Sequence, residues 1–194
     1  MTGGEAPSDA VLARRAAEGD ERAFAELVRR HKDPLYRLLR RYTGDADDAY
    51  EAAHEAFIAA WSAIRRYDPS RSFLAWLRTI AINKARDRGR RAAFRRLLFG
   101  ADGLEGHAAL AEPDPGAAAD DSVIERQEML ALDRAIAGLP APLKEALLLP
   151  AFDGWSQAEA GDILGVSAKT IETRVYRARK ILAQTLDPEL RPKA

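Results

Sequence analysis

The sequence predicts an all-α protein made of two small helical domains joined by a flexible acidic linker, the second domain carrying a helix-turn-helix. Three observations carry this expectation. No segment sustains the period-two alternation of a half-buried strand, and Ala, Leu, Arg and Glu dominate the 194 residues. Apolar residues recur instead at three- and four-residue spacing, which builds one stripe per helix. Residues 100–121, GADGLEGHAALAEPDPGAAADD, break that periodicity with Gly, Pro, Ala and acids, as a linker does. The expected domains are therefore residues 8–99 and 122–187.

Taken in order, Asp20 is placed to cap a helix whose stripe is Phe24, Leu27, Val28, His31, Leu35, Leu38, Leu39 and Tyr42. Pro34 lies inside that run and is expected to bend or interrupt it. Gly44 and Asp45 make the next break. A third helix is expected over Asp47 to Ile64, with Ala53, Phe57, Ala60 and Ile64 inward and the paired acids Asp47 and Asp48 at its positive end. Tyr67-Asp68-Pro69-Ser70 has turn chemistry. Ser72 then caps a fourth helix with Phe73, Trp76, Leu77, Ile80 and Ala81 inward, which runs on through Asn83, Lys84, Arg86, Arg88, Arg90 and Arg91. Helices resume at Ser122 with Ile124, Met129, Leu132 and Ile136. Gly138-Leu139-Pro140 is a stop before Leu143, Leu147 and Leu148.

The most specific local pattern is residues 155–182, WSQAEAGDILGVSAKTIETRVYRARKIL. Ser156 and Glu159 form a Ser-x-x-Glu capping box, Gly165 supplies the left-handed residue after Leu164, and Ser167 caps a second helix. On that helix Ile171, Val175, Ala178 and Leu182 make the buried stripe. Lys169, Thr173, Tyr176, Arg177 and Lys180 fall opposite, flanked by Thr170 and Arg174. Such a face suits phosphate and base-edge contacts in a major groove. The alternative is a helical hairpin with a solvated basic face.

Charge is segregated beneath a net of zero. Residues 1–100 hold 20 Lys/Arg against 14 Asp/Glu, while residues 101–130 hold one Arg against eight acids. Within residues 65–96 eleven bases face only Asp68 and Asp87, a local charge of +9 that points to a polyanion partner. The absence of cysteine excludes disulfides and thiolate metal sites. No run approaches the ~20 apolar residues of a membrane span, and the N-terminus lacks a signal pattern, so a cytoplasmic protein without membrane insertion is expected. His31, His54 and His107 are isolated. No nucleophile elbow, phosphate loop, metal-ligand spacing or dinucleotide fingerprint occurs, so no catalytic residue, metal or cofactor is assigned.

With these blocks in order, the chain resembles the extracytoplasmic-function (group 4) sigma factors, the small specificity subunits of bacterial RNA polymerase. The resemblance covers roughly residues 9 to 186. It rests on EGDERAFAELVRRH, GDADDAYEAAHEAFIAAW, RYDPSRSFLAWLRTIAINKARDRGRR, LPAPLKEALLL and the helix-turn-helix. It implies an alternative sigma factor that binds core RNA polymerase through its clamp helices and flap, directs initiation at specific promoters, and answers to an anti-sigma factor. The helix over residues 47–64 would dock on the clamp, through Asp47, Asp48, Glu51, His54, Glu55 and Phe57. Residues 65–91 would capture the minus-ten element, with Arg66, Tyr67, Arg71, Trp76, Asn83, Lys84, Arg86, Arg88 and Arg90 at the DNA. The second domain would read the minus-thirty-five element with Lys169, Thr170, Glu172, Thr173, Arg174, Tyr176 and Arg177.

The residues agree with that assignment on their own terms. Tyr67 and Trp76 offer stacking faces, Asn83 a base-edge amide, and the arginines phosphate neutralisation, which single-strand binding needs. At helical spacing with Phe73 and Ile80, Trp76 also reads as a core residue.

Four positions depart from the family pattern. Glu51-Ala52-Ala53-His54-Glu55 keeps charge but loses bulk where the family usually carries an Asp-Leu-Val-Gln-Glu-like run. Pro150 is expected to end or kink its helix early. Gly161 lies inside the first helix of the helix-turn-helix, at a cost of about 1 kcal/mol relative to Ala. Glu172 can accept from a cytosine amino group or pair with Lys169. A sigma-like decoy that binds only an anti-sigma factor, and a stand-alone helix-turn-helix regulator, are the alternatives.

Overall fold

Capping chemistry sets most of the helix starts. In the computed structural model, which describes residues 6–99, 121–153 and 155–186, α1 (Asp9–Ala17) begins at Ser8, whose hydroxyl accepts from the Val11 amide. Asp20 accepts from Ala23 to start α2 (Glu21–Thr43), which ends at Gly44 with φ 77°. Asp45 accepts from Asp48 to start α3 (Ala46–Ala63), which tightens into a 3-10 turn over Ile64–Arg66. Ser72 caps α4 (Phe73–Phe99). Then follow α5 (Asp121–Ala137), α6 (Ala141–Asp153), α7 (Gln157–Leu164) and α8 (Ala168–Leu186). The described residues contain no strand. The expected linker, apart from Asp121, lies outside the described residues.

Proline does not interrupt α2 at Pro34, and α6 continues past Pro150 to end at Asp153. In α2 the buried stripe continues on both sides of the proline, with Leu27 and His31 before it and Leu35, Leu38 and Leu39 after. Tertiary burial along one face thus outweighs the loss of one amide donor. The inner face of α3 is also rotated from the expected one. Ala49, Ala52, Ala53, Ala56 and Ala60 are buried, while Phe57 is only half-buried at the edge. Small residues on that face let α3 lie close to α2 and α4. The first helix, α1, was not anticipated, although Leu12, Ala13 and Ala16 bury at helical spacing. Asp9 ties it to α2 through His31 at 2.6 Å and Arg30 at 3.1 Å.

In the second half, Ile136, Leu139, Leu148, Leu149, Ile171 and Ala178 form the core. The capping box of Ser156 and Glu159 is formed, and Gly165 ends α7 at φ 66°. Gly161 has a reason that the helix pattern hides. A Cβ there would lie 2.5 Å from the Val166 carbonyl, so the turn can fold tightly only over a glycine.

The two halves pack on one another, α2 against α5 and α6, and α4 against α7. At Gly44 the approach is so close that a Cβ would sit 2.5 Å from the Ala137 side chain.

Candidate nucleic-acid interface

The second helix of the helix-turn-helix, α8, is sorted into faces by its own sequence. Ile171 and Ala178 are fully buried and Leu182 nearly so, while Val175 is half-buried against the same core. Lys169, Glu172, Thr173, Tyr176 and Arg177 are exposed; Thr170 and Arg174 are half-buried. Tyr176 is 70% exposed. Lys169 donates to Glu172 at 2.8 Å, so the structural pairing of Glu172 is present. The Thr173 hydroxyl donates to the Lys169 carbonyl at 2.9 Å, and that of Thr170 shares a hydrogen bond with Ser167 in the cap.

The basic segment that follows α3 is ordered differently. Tyr67 is not the open stacking face expected of it: it is 8% exposed, and its hydroxyl donates to the Arg71 carbonyl at 2.5 Å. Burial raises its pKa. The ring meets those of Phe73 and Trp76 at 5.6 and 5.2 Å, and Trp76 contacts Phe73 at 5.7 Å. This cluster sets the turn between α3 and α4, and Trp76 keeps one half-exposed edge toward a cavity shared with Arg71 and Thr79. Arg66 and Arg71 are exposed, with Arg71 3.7 Å from Asp68. Asn83 is exposed on α4 and accepts weakly from Arg86 at 3.4 Å; Lys84 is half-buried beside it.

The next three arginines are engaged within the chain. Arg86 donates twice to Glu145, at 3.0 and 2.7 Å, and that contact raises its pKa. Arg88 bridges Asp48 at 2.9 Å and Glu55 at 3.1 Å. Arg90 pairs with Asp87. Two of the acids expected at a polymerase surface therefore hold an arginine expected at DNA, which fixes α4 against α3.

Along α3, Asp47, Asp48, Glu51 and His54 are exposed, and Glu55 and Phe57 half-buried. Beside them runs an apolar groove of about 440 Å³ between α2 and α3, lined by Phe24, Val28, His54, Phe57, Ile58 and Trp61. Sequence reasoning placed Phe24 and Val28 in the core and missed Ile58 and Trp61. The available signal was that these two large apolar residues lie off the alanine face of α3. Phe24 and Trp61 rings meet at 4.9 Å across the groove. Among the described residues no group of His, Asp and Glu could hold a metal ion, and no helix is long and apolar enough to cross a membrane.

Comparison with known proteins matches this geometry. Residues 27–95 match the sigma-70 region 2 family and residues 129–182 the sigma-70 region 4 family. The chain is 37% identical over 185 residues to the RNA polymerase sigma factor CnrH of Cupriavidus metallidurans, covering 94% of this chain and 96% of that protein. It is 32% identical over 173 residues to the ECF RNA polymerase sigma factor SigW of Bacillus subtilis, covering 87% and 91%. Among solved structures, CnrH in complex with the cytosolic domain of CnrY superposes with a TM-score of 0.67 at 33% identity, covering 94% of this chain and 99% of that one. The sigma factor RpoE of Bartonella quintana, bound to the anti-sigma factor NepR, shares the fold at a TM-score of 0.66. A capped helix-turn-helix, a basic helix laid against an acidic one, and sequence identity along nearly the whole chain place this protein in the extracytoplasmic-function group of the sigma-70 family of RNA polymerase sigma factors.

Proposed function

We propose that this chain binds core RNA polymerase in the cytoplasm and directs initiation at a two-part promoter, with residues 8–99 and 122–187 as separate working units. The observation that carries the reading is the clean partition of α8. Its DNA-type side chains are held outward by a core that uses none of them. In the minus-thirty-five element Tyr176, Arg174 and Arg177 meet bases and phosphates, with Lys169, Thr170 and Thr173 near the backbone. Glu172 serves chiefly to hold Lys169.

In the minus-ten element Asn83 reads a base edge, and Arg66, Arg71, Lys84 and Trp76 line the path of the strand. Arg86, Arg88 and Arg90 reach phosphate only when their present carboxylate partners are released. Tyr67 acts from below, by buttressing Trp76. The polymerase docks on α3 through Asp47, Glu51 and His54, and an apolar side chain of the clamp fills the groove beside Phe57 and Trp61. An anti-sigma factor controls the chain, in keeping with the CnrH neighbour, solved in complex with the cytosolic domain of CnrY.

Co-purification with core polymerase followed by run-off transcription tests the reading. Asn83→Ala is expected to leave polymerase binding and helicity intact. Initiation should fall and minus-ten preference relax, at about 1–3 kcal/mol for a lost base contact. Unchanged transcription across minus-ten variants would reduce Asn83 to a surface residue.

A further inference from the structure

The first helix, α1, lies outside residues 27–95, the stretch that matches the region 2 family, and carries none of the side chains assigned to DNA or polymerase. It is nevertheless tied into the domain at Asp9. One carboxylate oxygen takes the Arg30 guanidinium at 3.1 Å and the other takes His31 Nε2 at 2.6 Å. A carboxylate only accepts, so Nε2 carries the proton and donates. Arg30 also donates to the Pro7 carbonyl at 2.7 Å, which pins the chain just before α1. Besides α2, α1 packs on the 3-10 turn and on α4, the two elements that bracket the loop from Tyr67 to Ser72.

From Asp9 a continuous set of contacts leads to the minus-ten face. The buried His31 ring lies 5.5 Å from that of Phe73, itself 2% exposed. Phe73 meets Tyr67 edge-on at 5.6 Å and Trp76 at 5.7 Å, and the Tyr67 hydroxyl donates to the Arg71 carbonyl. Burial, and after it the negative charges of Asp9 and Asp68, raise the Tyr67 pKa. The phenol therefore keeps its proton and its hold on Arg71. Of the three aromatic side chains only Trp76 is half-exposed, at the edge where Arg71 stands in solvent.

A hydrogen bond to a carboxylate fixes the plane of an imidazole more firmly than packing alone. An imidazole so fixed offers Phe73 one surface, and Phe73 leaves Tyr67 and Trp76 one arrangement. Side chains that must receive a ligand bind it well only when such support locks their rotamers.

We propose that Asp9 is a positioning residue for minus-ten capture, fixing Tyr67, Trp76 and the Arg71 end of the loop through His31 and Phe73. This rests on the reading of that loop and α4 as the minus-ten surface.

The test uses the full chain assembled with core RNA polymerase. From a pool of short single-stranded DNA of random sequence, the parent holoenzyme selects a preferred strand. Affinity is then measured for that strand and for an unselected one of equal length. Asp9→Ala should weaken the selected strand by at least about fivefold, the lower end of what a base stack supplies, and leave the unselected strand and the affinity for core unchanged. Asp9→Asn keeps an acceptor for the His31 N–H and should recover most of the loss. Circular dichroism and a thermal melt check that each variant folds. If Asp9→Ala does not, His31→Phe, which keeps a ring against Phe73 but loses the hydrogen bond, should show the same selective loss.

A tie that only stabilises the fold would lower the melt and the core affinity together and weaken both strands alike, and that result overturns the proposal. So does an equal loss in Asp9→Ala and Asp9→Asn. Trp76→Ala separates the positioning role from the surface it serves. If Trp76→Ala weakens the selected strand and Asp9→Ala does not, the positioning role fails and the minus-ten reading stands. If Trp76→Ala leaves the selected strand unaffected, the minus-ten reading fails and the positioning role with it.

Discussion

On α8, Tyr176 and Arg177 stand in solvent and Lys169 pairs with Glu172 three residues away on the same helix. On α4, Arg86 reaches a carboxylate 59 residues distant, and Arg88 reaches two that are 33 and 40 residues away. Both helices read as basic DNA-type surfaces in sequence. The difference lies in what surrounds them. Most of the polar face of α8 is exposed, with Thr170 and Arg174 half-buried, so helix periodicity largely sets its chemistry. α4 lies against α3 and meets the second half of the chain, so its cations serve as anchors within the fold. A run of arginines thus states a charge, while its availability to DNA depends on the neighbours that the fold supplies.

The comparison can be broken most strongly through the α8 core. Ile171→Ala removes a fully buried side chain and is expected to cost about 2–5 kcal/mol. The thermal melt of the helix-turn-helix should drop accordingly, and promoter recognition with it. A melt close to the parent's would mean that the α8 faces are assigned the wrong way round.

Gly161→Ala comes next. Helix propensity alone makes it stabilising by about 1 kcal/mol. The 2.5 Å approach of the Val166 carbonyl reverses that sign, to a loss of about 1–3 kcal/mol from overpacking. Urea denaturation decides between the two.

A paired substitution sharpens the contrast between anchored and free cations. Arg88→Gln breaks two partly exposed ion pairs between α3 and α4 and should lower stability by about 1 kcal/mol. Arg177→Gln should change stability by less than about 0.5 kcal/mol. If Arg177 meets phosphate, its loss weakens polymerase-dependent promoter binding evenly and reduces the salt slope by about one unit. If it meets a guanine edge, the loss falls on one base position. Equal stability losses in the two variants would erase the distinction drawn above.

The smallest effect is with pH. Hydrogen bonds from the Ser156 amide and hydroxyl hold Glu159 below its ordinary value of 4.5. A depressed carboxylate stabilises the fold above the unfolded value and ceases to do so as pH falls through the folded one. Mild acid below pH 4.5 should therefore loosen the start of α7. Glu159→Gln should flatten that part of the profile, as followed by amide exchange at the cap.

Much of this architecture was legible locally. Asp20, Ser72, Ser156 and Ser167 announce helix starts, Gly44 and Gly165 announce ends, and the Ile171, Ala178 and Leu182 stripe assigns the α8 faces without reference to any other element. These features are local because caps and periodicity involve residues a few positions apart. How far a helix continues past Pro34 or Pro150 is not set locally. Whether a helix survives a proline depends on the burial available to the residues around it, which is a tertiary quantity. Phe57 and Tyr67 exchanged expected roles, one ending at a groove and the other beneath Trp76, because an all-alanine face on α3 and the α3–α4 turn redirect them.

By itself, the sequence determined the helical class, the order of the helices after α1, the helix-turn-helix and the two basic stretches. These follow from spacing, capping and charge density, which act over a few residues. Tertiary structure alone decided which cations are free, that Gly161 and Gly44 sit at close approaches, that α2 and α3 leave an apolar groove, and that Glu145 reaches Arg86. Each of those depends on packing between segments distant in sequence, where burial and desolvation outweigh local preference.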